Sequence, residues 1–180
     1  RLNPGNIKNP DDIKKIIQSA KDHNIAVRIG VNEASIRELK TADVPPEKRT
    51  RLMLEEMKKY VRIFEKNNFD NLVLSAKSSS TLRTIQINRL LAENFPYPLH
   101  LGLTHAGLPE DAIIPSSVTL GTLLAEGIGD TIRISIAGDP VKEAQIAKQI
   151  LIPLKLYSSN EPQLIVCPTC GRTEVGLITL

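Results

Sequence analysis

The feature that most constrains the fold of this chain is a regular alternation between short β-rich runs and longer stretches of helical periodicity. The runs are AVRIGV, LVLSA at 72–76, PLHLGLT at 98–104 and TIRISIA at 131–137, and residues 1–3 supply a fifth candidate. Apolar residues recur every three or four positions between the runs, which predicts β-α units and a parallel sheet. A complete barrel of this kind needs eight units and about 250 residues. The chain has 180 residues, so it is an open doubly wound sheet or the later part of a barrel. We expect the latter, as a fragment of a longer protein.

Local signals predict where the helices begin and which faces they bury. The predicted starts are Asn9-Pro10, Pro45-Pro46, Thr81, the residues after Pro115-Ser116-Ser117, and Asp139-Pro140. The third helix is predicted to run from Thr81 to Asn94, with Leu82, Ile85, Leu90 and Leu91 facing the core. The polar segment 158–162 has the composition of a linker. We therefore predict a partial barrel domain over residues 1–157 and the start of a smaller domain over 158–180.

Composition excludes several functional classes. The net charge is +3, aromatic residues make up 3% and tryptophan is absent, which fits poorly with nucleic-acid binding through a basic stripe and stacking platforms. No apolar run of about 18 residues is present, so we expect no membrane partner. Two cysteines do not make a secreted disulfide framework. A reducing compartment is expected, which is the cytoplasm, or the plastid if the source is a plant or alga.

Polar and cationic residues stand where the apolar strands end. Arg1, Arg28, Lys77 and Arg133 accompany four different strands. The carboxyl ends of parallel strands meet on one face, where ligands bind. Guanidinium and ammonium groups gathered there, with few carboxylates, fit a diphosphate better than a single carboxylate. Any one of these cations, taken alone, is as well explained as a structural ion-pair partner.

The two cysteines, Cys167 and Cys170, lie in the sequence CPTCG. This spacing suits half of a zinc ribbon, although a second pair is needed to complete one. It also suits an iron–sulfur cluster whose other ligands come from further along the chain. A thioredoxin-like redox pair is less consistent with the position after a linker.

Seven strings together resemble one known family. RLNPGN, VRIGVN, LSAKSS, YPLHLGLTHAG, GIGDTIRIS, DPVKEA and CPTCGR occur in the order and spacing of the 4-hydroxy-3-methylbut-2-enyl diphosphate synthase family, and the resemblance extends over essentially the whole chain. It implies an N-terminal (β/α)8 TIM barrel and a small C-terminal [4Fe-4S] domain. The implied reaction is the reductive ring opening of 2-C-methyl-D-erythritol 2,4-cyclodiphosphate in the non-mevalonate isoprenoid pathway. The implied partners are ferredoxin or flavodoxin as electron donor, and a second copy of the chain in a homodimer.

The same resemblance implies roles for individual residues. The positions that match the family's substrate-binding residues are Arg1, Asn3, Arg28, Asn32, Lys77, His100, Arg133 and Ser135. Cys167 and Cys170 match the first two cluster ligands, and the remaining ligands are expected beyond Leu180.

One departure from the family pattern affects catalysis. The family reads TEAG where this chain reads THAG, so His105 replaces the glutamate held to be the acid/base. An imidazole beside a diphosphate is favoured in its protonated form and is able to donate a proton to a leaving hydroxyl. Two alternatives stay open: a non-catalytic diphosphate-binding paralogue, and a zinc-stabilised structural domain. We expect the 180 residues alone to be inactive.

Overall fold

The computed structural model describes residues 1–3, 7, 9–36, 44–104, 107–159, 162, 171–172 and 174, and all structural statements below concern these residues. Helices and strands alternate along them. The elements are α1 (Pro10–Asp22), β1 (Val27–Asn32), a 3-10 turn (Glu33–Ser35), α2 (Pro46–Lys66), β2 (Leu72–Lys77), α3 (Thr81–Asn94), β3 (His100–Leu101), α4 (Pro109–Ala125), β4 (Thr131–Ile132) and α5 (Pro140–Leu151). The predicted β-α alternation is confirmed over these elements.

The strands lie side by side in chain order, and every pairing is parallel. β1 pairs with β2 over six positions, from Val27 opposite Leu72 to Asn32 opposite Lys77. β3 pairs with β4. Single bridges connect Leu2 to Ile29 and Leu74 to Leu99, so the first residues lie beside β1, and β2 lies beside β3. The carboxyl ends of five neighbouring segments therefore lie at the same edge.

Local capping explains most of the helix starts. The Asn9 side chain accepts a hydrogen bond from the Asp11 backbone N–H, and Pro10 occupies the first turn of α1. Ser80 caps α3 and Asp139 caps α5 in the same way. Such caps satisfy backbone N–H groups that have no partner within the helix.

The predicted start of α4 is wrong. The helix begins at Pro109, with Glu110 and Asp111 in its first turn, and Pro115 lies inside it. Proline fits the first turn, and the acidic residues that follow interact favourably with the positive end of the helix dipole. The loss of one internal hydrogen bond at Pro115 does not end the helix.

The core lies between the strands and the helices that cover them. Phe64, Met53 and Met57 of α2 are fully buried together with Ile29 and Leu74 of the strands. The predicted inward face of α3 is partly wrong, because the side chain of Leu82 is 71% exposed. The row that α3 buries is Thr84, Ile85, Ile87, Asn88 and Leu91. Among the described residues, no helix has both the length and the apolar content that a bilayer span requires.

Candidate functional site

The strands carry polar residues on one face and apolar residues on the other. In β1, Val27, Ile29 and Val31 are buried, and they alternate with Arg28, Gly30 and Asn32. Alternate side chains of a strand point to opposite faces. Through the β1–β2 register, Gly30 lies opposite Ser75 and Asn32 opposite Lys77.

The polar faces of neighbouring strands form a shared surface. A Cβ built on Gly30 would lie 3.5 Å from Arg1 Nε, and one built on Gly102 would lie 2.8 Å from Lys77 Nζ. Ser75 also donates a hydrogen bond of 2.9 Å to the carbonyl of His100. Side chains from the first residues, β1, β2 and the end of β3 therefore occupy one region at the carboxyl edge of the strands.

Lys77 lies in this region among positive charges that disfavour its charged form. Burial, followed by the charges of Arg133, Arg28 and Arg1, lowers the pKa of Lys77 to about 8, and Glu143 offsets only part of this effect. Burial and the charges of Arg1 and Arg133 likewise lower the pKa of Arg28. Like charges disfavour each other's charged form when they are close. The four predicted cations thus converge, and an anion bound among them would relieve their mutual repulsion.

His100 contributes a buried polar atom without a partner. The residue is 8% exposed, and its Nδ1 lies 2.8 Å from Thr131 Oγ1 in a hydrogen bond. Its Nε2 is buried and has no hydrogen-bond partner among the described residues. Burial and the charges of Lys77, Arg28, Arg133 and Arg1 lower the pKa of His100 to about 4, so the ring is neutral at pH 7. When Thr131 donates to Nδ1, Nε2 carries the proton and is able to donate it to a ligand oxygen.

Glycine at position 102 makes room for the lysine. Besides its short distance to Lys77 Nζ, a Cβ there would lie 2.9 Å from the backbone carbonyl oxygen of Arg133. Neither distance is tolerated by a real Cβ without movement of its neighbour. The absence of a side chain at Gly102 is what lets the ammonium lie over the end of β3, beside Arg133.

One carboxylate in the region was not predicted from the sequence. Glu143, in the first turn of α5, forms an ion pair of 3.4 Å with Arg133 Nε. The Arg133 side chain stays 52% exposed, so the pair leaves most of the guanidinium open to a ligand. The helical position of Glu143, ten residues after Arg133, gives no sequence signal of this contact.

The three predicted small polar residues differ in their surroundings. Asn3 donates a hydrogen bond of 3.3 Å to Ser35 Oγ, which places it beside the turn that follows β1. Asn32 Oδ1 accepts from the Ala34 backbone N–H at 3.3 Å. Ser135 is half-buried and follows β4 two residues after Arg133. Asn3 and Asn32 thus lie by the same turn, whereas Ser135 lies in the segment that follows β4.

The predicted acid/base and metal ligands lie outside the described residues. These are His105, Cys167 and Cys170. Within the described part of the chain, no three or more histidine, cysteine, aspartate or glutamate side chains are grouped to hold a metal ion. The roles of the histidine and the two cysteines stay predictions.

A second polar cluster at the same edge was also missed by sequence reasoning. The carboxylate of Glu33 accepts hydrogen bonds of 2.8 and 2.9 Å from Arg83. It also accepts from Arg49 and from the hydroxyl of Ser78. These partners are separated from Glu33 by 16 to 50 positions, so no local pattern could have indicated them.

The comparisons with known proteins identify one family. A family model described as the GcpE TIM-barrel domain matches residues 1–148. A "4-hydroxy-3-methylbut-2-en-1-yl diphosphate synthase (flavodoxin)" from Caldanaerobacter subterraneus subsp. tengcongensis is 44% identical over 183 residues, which cover all of this chain and 50% of the relative. A protein of the same name from Thermotoga petrophila is 44% identical, and the match covers 98% of this chain and 49% of the relative. One from Clostridium tetani is 43% identical, and the match covers 100% of this chain and 51% of the relative. The chain thus spans about half the length of these curated relatives.

Proposed function

Because the chain belongs to the GcpE family, we propose that it is the substrate-binding part of a 4-hydroxy-3-methylbut-2-en-1-yl diphosphate synthase. The proposed substrate is 2-C-methyl-D-erythritol 2,4-cyclodiphosphate. Its conversion consumes two electrons and two protons, breaks a ring C–O bond and releases one hydroxyl as water. The relatives' names favour this catalytic interpretation over a non-catalytic diphosphate-binding paralogue.

The observation that carries the proposal is the convergence of four cations, which Glu143 offsets only in part, around a buried imidazole nitrogen that has no hydrogen-bond partner among the described residues. The charges of Arg1, Arg28 and Arg133 act together on Lys77, and no side chain of the described residues forms a hydrogen bond with His100 Nε2. A diphosphate provides several anionic oxygens, each able to accept a charge-assisted hydrogen bond. Such a ligand would remove the repulsion and satisfy the buried nitrogen at once. Fixing the diphosphate would also orient the ring of the substrate for the reaction.

The electrons are proposed to come from flavodoxin, which the relatives' names include, or from ferredoxin. A [4Fe-4S] cluster would deliver them when bound, and thiolates of Cys167 and Cys170 have the chemistry to provide two of its ligands. The other ligands are expected beyond Leu180. We propose that residues 1–157 form part of a (β/α)8 barrel, that residues 158–180 begin the cluster domain, and that the protein works as a cytoplasmic homodimer.

The test uses the full-length protein that contains this chain. Lys77→Ala combined with Arg133→Ala should weaken binding of the cyclodiphosphate by about 1.5–3 kcal/mol for each charged hydrogen bond lost. Binding is measured by titration calorimetry, and turnover by product formation with reduced flavodoxin. Arg62→Ala is the control, because Arg62 is an exposed arginine of α2. Unchanged binding in the double variant would contradict the proposal.

A further inference from the structure

The carboxylate of Glu33 is the centre of a network that joins four elements. Glu33 follows Asn32 directly, in the turn after β1, and its side chain is only 12% exposed. It receives hydrogen bonds from Arg49 on α2, from Ser78 after β2 and from Arg83 in the first turn of α3.

Glu33 and its partner Ser78 each adjoin a proposed diphosphate ligand in sequence. Glu33 is next to Asn32 in sequence, and its partner Ser78 is next to Lys77. Asn32 and Lys77 are themselves opposite each other in the β1–β2 register. The Glu33–Ser78 hydrogen bond therefore closes a short bridge across the carboxyl ends of two strands.

We propose that Glu33 is a positioning residue, which holds the turn after β1 against the turn after β2 so that Asn32 and Lys77 face the same diphosphate. This inference rests on the proposed function, because it assigns a purpose to the bridge only if the site binds a diphosphate. Glu33 acts through its neighbours and is not itself a ligand of the anion.

The turn after β2 is fixed from its other side by buried polar groups. The Thr84 hydroxyl donates to the Ser78 carbonyl at 3.2 Å and accepts from the Ser78 N–H at 3.3 Å. The Asn88 side chain donates to the Ala76 carbonyl at 3.1 Å. Thr84 and Asn88 are fully buried. The residues on both sides of Lys77 are thus anchored to α3, and Glu33 ties this anchored turn to β1.

Charge alone does not explain a glutamate here. A carboxylate near an anion site repels the ligand, so its presence opposes diphosphate binding unless it has a geometric role. Burial on its own would raise the pKa of Glu33, but the hydrogen bonds from Ser78, Arg83 and Arg49, together with the charge of Arg83, bring the pKa below its ordinary value. The group is ionised at neutral pH, and its charge is compensated by two guanidiniums.

A polar pocket of about 240 Å³ adjoins the network. Its lining includes Asn32, Glu33, Arg49, Arg83 and Thr104. Thr104 follows β3, and its backbone N–H donates to the Ser78 carbonyl at 3.0 Å. The bridged turns thus lie at the same edge as the end of β3, where Lys77 and His100 are found.

The experiment compares two carboxylates that are both paired with arginine. The chain offers Glu126 as a matched control: it forms a bidentate pair with Arg89, with one contact of 2.8 Å, at the end of α4 remote from the carboxyl edge of the strands. In the full-length protein, Glu33→Gln and Glu126→Gln each remove one negative charge. Titration calorimetry with inorganic diphosphate gives the Kd, and thermal unfolding gives the folded fraction and the Tm.

We expect Glu33→Gln to raise the Kd for inorganic diphosphate about tenfold or more, the equivalent of one charge-assisted hydrogen bond. Glu126→Gln should leave the Kd unchanged. Ser78→Ala removes the hydrogen bond to Glu33, together with the one that the Ser78 hydroxyl accepts from the Ser80 N–H at 3.0 Å, and should raise the Kd about threefold with a smaller effect on the Tm than Glu33→Gln. If Glu33→Gln fails to fold, the Ser78→Ala result decides.

Other outcomes overturn the inference in distinguishable ways. A lower Kd for diphosphate in Glu33→Gln would show that Glu33 acts only by repelling the anion. A lower Tm with an unchanged Kd would show a role in folding alone. If the unmodified protein does not bind diphosphate, the proposed function itself fails, and the positioning role fails with it.

Discussion

Replacing Lys77 with methionine should make the ligand-free protein more stable and its diphosphate binding weaker. The folded state lowers the pKa of this lysine from an ordinary value of 10.5 to about 8, mainly by burial and then by the charge of Arg133. Without any correction for solvent screening, this lowering of the pKa corresponds to a free-energy penalty of about 3 kcal/mol on the charged form of Lys77 in the folded state. Because the side chain keeps some exposure and solvent screens the neighbouring charges, we expect about 1–2 kcal/mol.

The pH dependence of this penalty has a definite sign. Below pH 8, Lys77 is charged in both the folded and the unfolded state, so the whole penalty destabilises the fold. Between about pH 8 and 10.5 the folded state has lost this proton while the unfolded state still holds it, so this contribution to stability becomes more favourable as the pH rises. Above 10.5 both states are neutral and the penalty is gone. The advantage of Lys77→Met should therefore be complete at pH 7 and vanish by pH 10.5.

The assay is urea unfolding of the full-length protein at pH 7 and at pH 10.5. Lys66→Met is the control, since Lys66 is an exposed lysine at the opposite end of α2 from the carboxyl edge. Lys77→Met should gain about 1–2 kcal/mol at pH 7 and weaken the binding of inorganic diphosphate at least about tenfold. The reasoning is refuted if Lys77→Met is destabilised at pH 7, or if its difference from the unmodified protein does not change with pH.

Three further substitutions test other parts of the site in the full-length protein. Gly102→Ala should raise the Kd for diphosphate about tenfold, because its methyl group would displace the Lys77 ammonium; calorimetry showing an unchanged Kd would contradict the observed packing. Glu143→Gln should lower that Kd a few-fold by freeing Arg133 from its ion pair, and weaker binding would mean that the pair positions Arg133. His105→Glu should raise turnover or leave it intact, as followed by product formation, because His105 is expected to be a poor substitute for the family's glutamate; complete loss of turnover would contradict this expectation and show that turnover requires the imidazole.

The sequence predicted best what depends on local pattern. The extent of α3, from Thr81 to Asn94, and the starts of α1 and α5 follow from caps and periodicity, which act within a few residues. The strand predictions at 98–104 and 131–137 were too long, because β3 and β4 each contain only two residues. Apolar runs indicate burial there, whereas the number of ladder positions depends on the neighbouring segment.

For the candidate site, the sequence predicted that the cations gather at one edge of the strands, but it did not predict the carboxylates that contact their surroundings. Alternation in parallel strands was enough to bring Arg28, Lys77 and Arg133 to one edge. The roles of Glu33 and Glu143 depend on turns and helix positions that only the folded chain brings together. Their contacts follow from tertiary packing, which leaves no periodic trace in the sequence.

A crystal structure of the full-length protein with inorganic diphosphate tests the central claim most directly. It should show oxygens of the ligand within hydrogen-bond distance of Lys77 Nζ, of the Arg28 and Arg133 guanidiniums, and of His100 Nε2. A diphosphate bound elsewhere, or these groups turned away from it towards solvent, would contradict the account.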